Sequence, residues 1–297
     1  MEKGQQPWTV VTLLKAAAEH FHCRGISEAR LSAELLLAHV LGMKRIDLYL
    51  NHDRLVAGRE LEAFHDCCRQ RLRFCPVQYI TGEQFFFGNR FSVDERVLIP
   101  RPETELVVEH LLERAAGRSI AGEESAAVLD IGTGSGCIAV TLAMEMAGAV
   151  ITAVDVSSEA LRVARENAAM HGVSERIAFL EADALAATFA RDVPGPFAMI
   201  IANPPYIPEK EWAGLQEEVR LYEPKLALVA QEGFEYYRGI LTASRLILKN
   251  GGLLCFELHA DAAEVVFGLM RDEGFTEIML VKDYGGFDRA LSGIMNR

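Results

Sequence analysis

The sequence predicts an α/β protein in which a parallel β-sheet with flanking helices follows a small N-terminal helical domain. Beyond Ser125, short apolar runs alternate with helical patterns, and this alternation is typical of a parallel sheet. In the first seventy-odd residues the apolar side chains recur instead at three- and four-residue spacing, which indicates helices. The length of 297 residues suffices for one larger domain and a smaller attachment.

The composition is that of a globular protein, with 50% hydrophobic and 24% charged residues. The N-terminus lacks the pattern of a signal peptide, and no apolar stretch is long enough to span a bilayer. We therefore expect a cytoplasmic protein that does not associate with a membrane. A net charge of −12 argues against a broad nucleic-acid surface but not against a small basic patch. The six cysteines form no CxxC pair and lie at no zinc-like spacing from histidine, so we expect reduced thiols and no metal.

The predicted N-terminal helical domain covers residues 1–75, with helical patterns at 9–21, 27–40 and 59–72. Proline at Pro76 ends the last pattern, because it cannot continue a helix. Residues Val77 to Ile99 are rich in Val, Tyr, Ile and Phe around a Gly88-Asn89 turn, which predicts a β-hairpin and makes 76–100 a linker. An amphipathic helix then opens the larger domain, residues 101–297, and fades at Gly117 before a loop at Gly122 to Ser125.

The larger domain alternates between predicted strands and helices. Its first predicted helices cover 137–146 and 158–171. The predicted strands are 127–131, 150–154, 177–180, 198–202, 226–230 and 253–258, and two further strands near 277–281 and 289–294 are expected at an edge of the sheet.

The segment Gly132-Thr133-Gly134-Ser135-Gly136 lies between a predicted strand and a predicted helix. Glycines at this place let the backbone approach a ligand closely at the start of the helix. The G-x-G-x-G spacing differs from the G-x-G-x-x-G fingerprint of dinucleotide sites, so a pyrophosphate ligand is disfavoured. On its own the segment also fits a tight turn without a ligand.

Two acidic residues follow the next two predicted strands. Asp155 comes about twenty residues after the glycine segment, where a carboxylate can accept both hydroxyl hydrogen bonds of a ribose. A nucleoside is therefore expected. Asp183 lies where it could accept a hydrogen bond from an adenine amine, although a helix N-cap is an equally good interpretation.

The segment Asn203-Pro204-Pro205-Tyr206 directly follows an apolar strand and is the most informative motif of the chain. The two prolines restrict the backbone, so that the Asn203 side-chain oxygen and the Pro204 carbonyl can both accept hydrogen bonds from one NH2 group. Tyr206 can stack on the planar group that carries this NH2. Holding both protons on fixed acceptors favours electron density on a nitrogen that is otherwise a poor nucleophile. A proline-rich turn without further role is the alternative.

Together, the glycine segment, Asp155 and Asn203 to Tyr206 resemble the class I S-adenosylmethionine-dependent methyltransferases that methylate NH2 groups. The stretches Val97 to Glu105 and Lys282 to Arg289 are further similar to those of the HemK-type peptide chain release factor glutamine methyltransferases. This resemblance covers nearly the whole chain, including the helical N-terminal domain.

The resemblance implies a Rossmann-like sheet and N5-methylation of the glutamine in the Gly-Gly-Gln loop of bacterial class I release factors, with S-adenosylhomocysteine as the second product. It implies that Gly132 to Gly136, Asp155 and the Asp183-Ala184 pair contact the cofactor, and that Asn203 lies beside it. Asn203 to Tyr206 would hold the glutamine, and the helical domain would dock the release factor. Separately, we expect a monomer. Many relatives have an aromatic residue at the position of Ala184, so Phe179 and Leu185 are the candidates to replace it.

The cluster of Arg101, Glu103 and Glu105 is interpreted as ordering the entrance of the site or meeting the release factor, with a solvated helix start as the alternative. Glu257, on a predicted strand, either points into the site or is a paired structural carboxylate. Two other functions remain open: a nucleic-acid amino-methyltransferase acting on a flipped base, and a nucleoside-binding module without turnover. The acidic charge disfavours the first, and the intact Asn203 and Tyr206 disfavour the second.

Overall fold

The computed structural model describes residues 7–118, 125–193 and 195–297. Its helices are α1 (Val10–Cys23), α2 (Ala29–Leu41), α3 (Arg45–Leu50), α4 (Gly58–Arg71), α5 (Val77–Thr81), α6 (Pro102–Gly117), α7 (Cys137–Glu145), α8 (Ser158–Met170), α9 (Phe189–Asp192), α10 (Glu217–Tyr222), α11 (Glu235–Ile247) and α12 (Ala263–Asp272). Its strands are β1 (Glu83–Phe86), β2 (Asn89–Ser92), β3 (Ala127–Ile131), β4 (Val150–Asp155), β5 (Ile177–Glu181), β6 (Phe197–Ala202), β7 (Ile207–Pro208), β8 (Val229–Ala230), β9 (Leu248–Glu257), β10 (Phe275–Lys282) and β11 (Asp288–Met295).

These elements divide between two compact units. The first holds the described residues up to Glu83 together with Gln216–Tyr222, and the second holds the described residues of 84–215 and 223–297. None of the helices in the described ranges combines the length and apolar character that crossing a membrane requires. Apart from Ser125, the predicted loop at Gly122 to Ser125 lies outside the described residues.

The first unit is a cluster of helices around its own core. The helices predicted at 9–21, 27–40 and 59–72 are confirmed as α1, α2 and α4. Thr9 caps α1, since its hydroxyl accepts a hydrogen bond from the Thr12 backbone N–H. The amphipathic helices turn their apolar stripes inward, and Phe21, Leu36 and Phe64 are buried there.

The hairpin prediction for Val77 to Ile99 is confirmed only over β1 and β2, which form a two-stranded sheet. Its first residues were predicted wrongly, because Val77–Thr81 form helix α5. Pro76 stands at the helix N-cap, where its missing N–H costs nothing, and its carbonyl accepts hydrogen bonds from the N–H groups of Tyr79 and Ile80. One local turn thus outweighs the β propensity of these residues.

The second unit is built on a seven-stranded mixed sheet with the order β10-β11-β9-β6-β3-β4-β5. The five adjacent strands β9, β6, β3, β4 and β5 run parallel to one another. Strand β11 is antiparallel to both of its neighbours, β9 and β10. The predicted α/β sheet and its two C-terminal edge strands are therefore confirmed. Helices α11 and α12 were not predicted from the sequence.

Side chains alternate between the two faces of this sheet. On β3, Val128 packs into the apolar layer that contains residues of α6 and α7, while its neighbour Leu129 packs into the layer that contains residues of α11 and α12. Strand β6 is buried at every residue. A strand that is covered on both faces reads in sequence as a continuous apolar run, which is why these strands were predictable.

The strand predicted at Leu226–Ala230 does not join the main sheet, so that part of the prediction was wrong. Residues Lys225–Ala227 form a 3₁₀ turn, and only Val229 and Ala230 pair, in parallel, with Ile207 and Pro208 of β7. This apolar run instead belongs to a loop region beside the sheet. Its residues Leu226 and Ala227 line a pocket at the carboxyl ends of the parallel strands.

Candidate active site

Three segments meet at the carboxyl edge of the sheet, after β3, β4 and β6. The register pairs Ile131 at the end of β3 with Val154 on one side and with Ala202 on the other. Strand β3 is thus the point from which the strand order runs in both directions, where α/β sheets bind their ligands. A pocket that is partly open to solvent lies there. Its lining includes Gly132, Thr133, Gly134, Ser135, Asp155, Asp183, Ala184, Asn203, Pro204 and Pro205.

The glycine segment makes a tight turn that only glycine tolerates well. Gly132, Gly134 and Gly136 all have positive φ angles, of 78°, 54° and 78°. The N–H groups of Gly132 and Thr133 both donate to the carbonyl of Val154, which fixes the turn against β4. A Cβ atom at Gly132 would lie 3.6 Å from the Asn203 carbonyl oxygen, so the first and third segments are in close contact.

Asp155 lies in this pocket with both carboxylate oxygens engaged. Its Oδ2 accepts a 2.9 Å hydrogen bond from the N–H of Gly134, and its Oδ1 accepts one of 2.9 Å from the N–H of Ser157. Burial raises the pKa of this carboxyl group above its usual range, and the backbone hydrogen bonds partly offset that effect. Since a carboxylate oxygen can accept two hydrogen bonds, Asp155 can still receive donors from a ligand.

Asp183 and Ala184 line the same pocket after β5. The Oδ1 atom of Asp183 accepts a 2.8 Å hydrogen bond from the N–H of Leu185, so this carboxylate also stabilises its own turn. Among the described residues, neither Phe179 nor Leu185 lines the pocket, and the guanidinium of Arg165 lies over the Phe179 ring.

The aromatic ring that does line the pocket belongs to Tyr236, on α11. Burial raises its pKa, and the nearby Asp183 and Asp155 carboxylates raise it further. Sequence reasoning missed this tyrosine because α11 itself was not predicted. The apolar residues Tyr237, Ile240 and Leu241 lie at three- and four-residue spacing, and this helical pattern was the available signal in the sequence.

Asn203, Pro204 and Pro205 enter the pocket directly from the end of β6. The Asn203 Nδ2 atom lies 3.4 Å from the Thr104 hydroxyl oxygen, to which it donates. Among the described residues, Tyr206 is not part of the pocket lining: its hydroxyl donates to Glu257 Oε1 at 3.5 Å. Burial raises the pKa of the Tyr206 hydroxyl well above its ordinary value.

Glu257, at the end of β9, is buried behind this segment. Its Oε2 accepts a 2.6 Å hydrogen bond from the Thr104 hydroxyl. Burial raises the pKa of the Glu257 carboxyl group to about 7, although the hydrogen bond from Thr104 acts in the opposite direction. Glu257 is absent from the pocket lining among the described residues, so the structure favours the interpretation as a hydrogen-bonded structural carboxylate over one that points into the site.

Arg101 lines the pocket and forms an ion pair with Glu223 at 2.5 Å. Glu103 faces a neighbouring cleft instead, together with Asp283, Tyr284 and Arg289. The structure thus separates two residues that were assigned to one cluster. Glu105, further along α6, accepts a 2.7 Å hydrogen bond from the Phe87 N–H and so connects the helix to the β1-β2 hairpin.

Asp130 precedes the glycine segment on β3, and its contact with that segment was not predicted from the sequence. Its side chain is fully buried, and Oδ2 accepts a 2.7 Å hydrogen bond from the Thr133 hydroxyl. Oδ1 has no hydrogen-bond partner among the described residues, and burial raises the pKa of this carboxyl group to about 7. An acidic residue inside an otherwise apolar strand was the signal in the sequence.

These features fit a nucleoside-containing cofactor. The glycine turn exposes backbone to the pocket, Asp155 presents carboxylate oxygens, and Tyr236 supplies a planar face. Asn203 and Pro204, whose amide and carbonyl oxygens are hydrogen-bond acceptors, line the same space. In the described parts of the chain, no three His, Cys, Asp or Glu residues are grouped so as to hold a metal ion.

Comparison with known proteins gives two family matches. The family model described as the PrmC N-terminal domain matches residues 12–82, and the methyltransferase small domain matches residues 102–219. The chain is 58% identical over 288 residues to a release factor glutamine methyltransferase of Chlorobaculum tepidum, covering 97% of this chain and 98% of that protein. A release factor glutamine methyltransferase of Geobacter sulfurreducens is 38% identical, with 99% of each chain covered.

Among solved structures, a methyltransferase from Pyrococcus furiosus matches 71% of this chain and 91% of its own, with 17% identity and a TM-score of 0.51. At that identity the likeness concerns the fold.

Proposed function

This chain belongs to the family of release factor glutamine methyltransferases, and on that premise we propose that it methylates the side-chain nitrogen N5 of a glutamine. The acceptor is the glutamine of the Gly-Gly-Gln motif in class I peptide chain release factors, and the methyl donor is S-adenosylmethionine. One observation carries the proposal: Asn203 and Pro204 line the same pocket as the glycine turn and Asp155. Acceptors for an NH2 group therefore stand beside a nucleoside site.

The residues Gly132 to Gly136, Asp155, Asp183 and Ala184 would hold the cofactor. Asp155 would accept hydrogen bonds from the ribose hydroxyls, the glycine turn would let the backbone approach, and Asp183 would accept a hydrogen bond from the adenine amine. Tyr236 supplies the planar contact for the base that Ala184 does not provide. When bound, S-adenosylmethionine supplies an electrophilic methyl group on a sulfonium sulfur, and S-adenosylhomocysteine is left after transfer.

The substrate amide is held by the segment after β6. The Asn203 side-chain oxygen and the Pro204 carbonyl accept the two N–H bonds of the glutamine side chain, which orients its nitrogen toward the cofactor half of the pocket. An amide nitrogen is a poor nucleophile because its lone pair is delocalised, and fixed acceptors favour electron density on it. Positioning within the pocket supplies the rest of the rate acceleration.

Tyr206 and Arg101 act around this acceptor pair. The Tyr206 hydroxyl donates to Glu257, which restrains the ring, and from this place it would support the glutamine side chain. Arg101 lines the pocket from the start of α6, and Glu103 faces the adjoining cleft. Both residues meet the protein substrate near the entrance of the pocket.

The remaining parts of the proposal concern the chain as a whole. The helical domain over residues 1–75 docks the release factor, residues 76–100 join it to the methyltransferase domain, and 101–297 carry the chemistry. The protein works as a monomer in the cytoplasm without stable nucleic-acid binding. A net charge of −12 supports this last point, because nucleic-acid surfaces depend on clustered positive charge.

The test is to incubate the protein with S-adenosylmethionine and a purified bacterial class I release factor, and to map methylation by peptide mass spectrometry. We expect one added methyl group on the glutamine of the Gly-Gly-Gln motif, and none with the Asn203→Ala variant. That variant should retain nearly unchanged affinity for S-adenosylhomocysteine, because Asn203 is assigned mainly to the substrate. An unmodified release factor beside methylated DNA or RNA controls would favour a nucleic-acid amino-methyltransferase instead.

A further inference from the structure

A chain of three side chains connects the proposed substrate-binding asparagine to the interior of the second unit. Asn203 Nδ2 donates to the Thr104 hydroxyl oxygen at 3.4 Å, and the Thr104 hydroxyl donates to Glu257 Oε2 at 2.6 Å. The Thr104 and Glu257 side chains are buried, with residue exposures of 3% and 2%. The three residues come from α6, from the turn after β6 and from β9.

The ionisation state of Glu257 sets the direction of these hydrogen bonds. Its pKa is raised to about 7, so the carboxylate form prevails above that pH. An ionised carboxylate can only accept, so the single hydroxyl proton of Thr104 then points to Glu257. The Thr104 oxygen then has lone pairs but no proton for Asn203, and it can bind only the NH2 end of the Asn203 amide. The oxygen end of that amide is consequently turned away from Thr104, toward the pocket.

We propose that Thr104, anchored by Glu257, is a positioning residue that sets the orientation of the Asn203 amide and so selects an NH2-bearing substrate. This inference rests on the proposed function, because it explains how the acceptor in that function is kept an acceptor. If the amide were reversed, its NH2 group would face the NH2 group of the substrate, and two donors would oppose each other.

Glu257 is well placed to act as this anchor. The charged and titratable groups around it come from several elements: Arg101 and Glu103 at the start of α6, Arg289 on β11, Tyr206 after β6, Tyr237 on α11, and the thiols of Cys137 and Cys255. The two arginines favour the charged carboxylate and Glu103 opposes it. Tyr237 also donates a 3.0 Å hydrogen bond to the Glu257 backbone carbonyl, which holds the end of β9 in place.

The first experiment compares Thr104→Val, which keeps the shape of the side chain but lacks the hydroxyl, with Thr104→Ser, which retains it. With a release factor as substrate, we expect kcat to fall about tenfold or more in Thr104→Val and to recover in Thr104→Ser. The KM for S-adenosylmethionine should change less than about twofold in both, because Thr104 acts through the substrate-binding asparagine.

A matched control is Ser292→Ala, which removes another buried hydroxyl of the same unit. Ser292 forms a 2.6 Å hydrogen bond with His110 and does not line the pocket in the described residues. A general loss of packing would lower kcat in Ser292→Ala as much as in Thr104→Val. A fall confined to Thr104→Val supports the positioning role, and equal falls in both variants would overturn it.

The second experiment needs no substrate. In protein labelled with ¹⁵N-asparagine, the side-chain NH2 signals of Asn203 are assigned by their loss in Asn203→Ala. We expect these signals to shift in Thr104→Val and to keep their wild-type positions in Thr104→Ser and Ser292→Ala. Unchanged signals in Thr104→Val would refute the contact even if the proposed function holds. Failure of wild-type protein to methylate the release factor would refute the proposed function, and the NMR result would still decide this inference.

Discussion

The guanidinium of Arg101 and the carboxylate of Glu223 form an ion pair at 2.5 Å, although 122 positions separate them in the chain. Glu223 uses its other oxygen to accept a 3.2 Å hydrogen bond from the Ile99 N–H. One buried carboxylate therefore fixes both ends of the segment that runs into α6. Because Ile99, Pro100 and Arg101 line the pocket, Glu223 shapes the proposed active site without standing in its lining.

We expect Glu223→Ala to lower the free energy of unfolding by roughly 1 to 3 kcal/mol, since it leaves the Ile99 N–H without its partner in the protein interior. The variant should also raise the KM of the methyl transfer reaction, because the pocket wall loses the contacts with Glu223 that hold it in place. Urea unfolding and steady-state kinetics measure the two effects. The matched control is Glu209→Ala, which removes the exposed ion pair between Glu209 and Lys225 and should cost less than about 1 kcal/mol. Equal losses in the two variants would contradict the anchoring role.

Replacing Asp155 by alanine should weaken cofactor binding. The variant removes the ribose acceptor and also the hydrogen bonds from the Gly134 and Ser157 N–H groups. At roughly 1 to 3 kcal/mol for each unpaired buried group, the Kd for S-adenosylhomocysteine should rise by at least about tenfold in titration calorimetry. The exposed Asp192 offers a control, since Asp192→Ala should leave the Kd as it is. An unchanged Kd in Asp155→Ala would remove Asp155 from the cofactor site.

Stability of the protein without cofactor should depend on the ionisation of Asp130. Burial raises its pKa from 3.8 to about 7, so folding favours the protonated form. The stabilisation that follows is complete below the unfolded pKa and is lost as the pH rises through about 7. The side chain of the Asp130→Asn variant cannot ionise, so this variant does not lose that stabilisation as the pH rises.

Relative to wild type, the Asp130→Asn variant should therefore gain about 1 to 3 kcal/mol in the free energy of unfolding between pH 5 and pH 8. Urea titrations of both proteins at the two pH values test this. Glu257, whose pKa is also raised to about 7, contributes equally to both proteins and cancels in the comparison. The same difference at both pH values would mean that Asp130 is ionised in the fold throughout.

The glycine turn offers a test that separates backbone strain from crowding. Gly136 and Gly172 both have positive φ angles, of 78° and 69°. An added Cβ would lie 3.0 Å from the Ala164 Cβ at Gly136, but would meet nothing within 4 Å at Gly172. Gly172→Ala should cost about 1 kcal/mol of stability from strain alone, and Gly136→Ala about 1 to 3 kcal/mol more from the contact with α8. If urea unfolding shows similar losses of unfolding free energy in the two variants, α8 moves aside for the added Cβ atom at no measurable cost.

The sequence predicted most of the sheet because its strands are buried on both faces. A strand such as Phe197–Ala202 then appears as an unbroken apolar run, and this pattern can be recognised without any knowledge of its neighbours. Prediction of strands from apolar runs failed at Val77–Thr81 and at Leu226–Ala230, where equally apolar residues form a short helix and a loop region. In both places a proline and a local turn decided the backbone, and apolar character alone does not record that.

The sequence by itself also determined which segments carry the proposed chemistry. Gly132 to Gly136, Asp155 and Asn203 to Pro205 each follow a predicted strand, and parallel strands end at one edge of a sheet, so their meeting in one pocket was predictable. Their roles toward cofactor and glutamine stay predictions until the variants are measured.

Only the tertiary structure decided what holds those segments in place. Thr104 and Glu257 are 153 positions apart, Arg101 and Glu223 are 122 apart, and Tyr236 stands on a helix that was not predicted. Contacts of this kind join side chains of elements that are distant in the chain, and they leave no periodic pattern in the sequence. Local periodicity records which face of an element is buried, whereas the identity of the partner across that face depends on how all the elements pack.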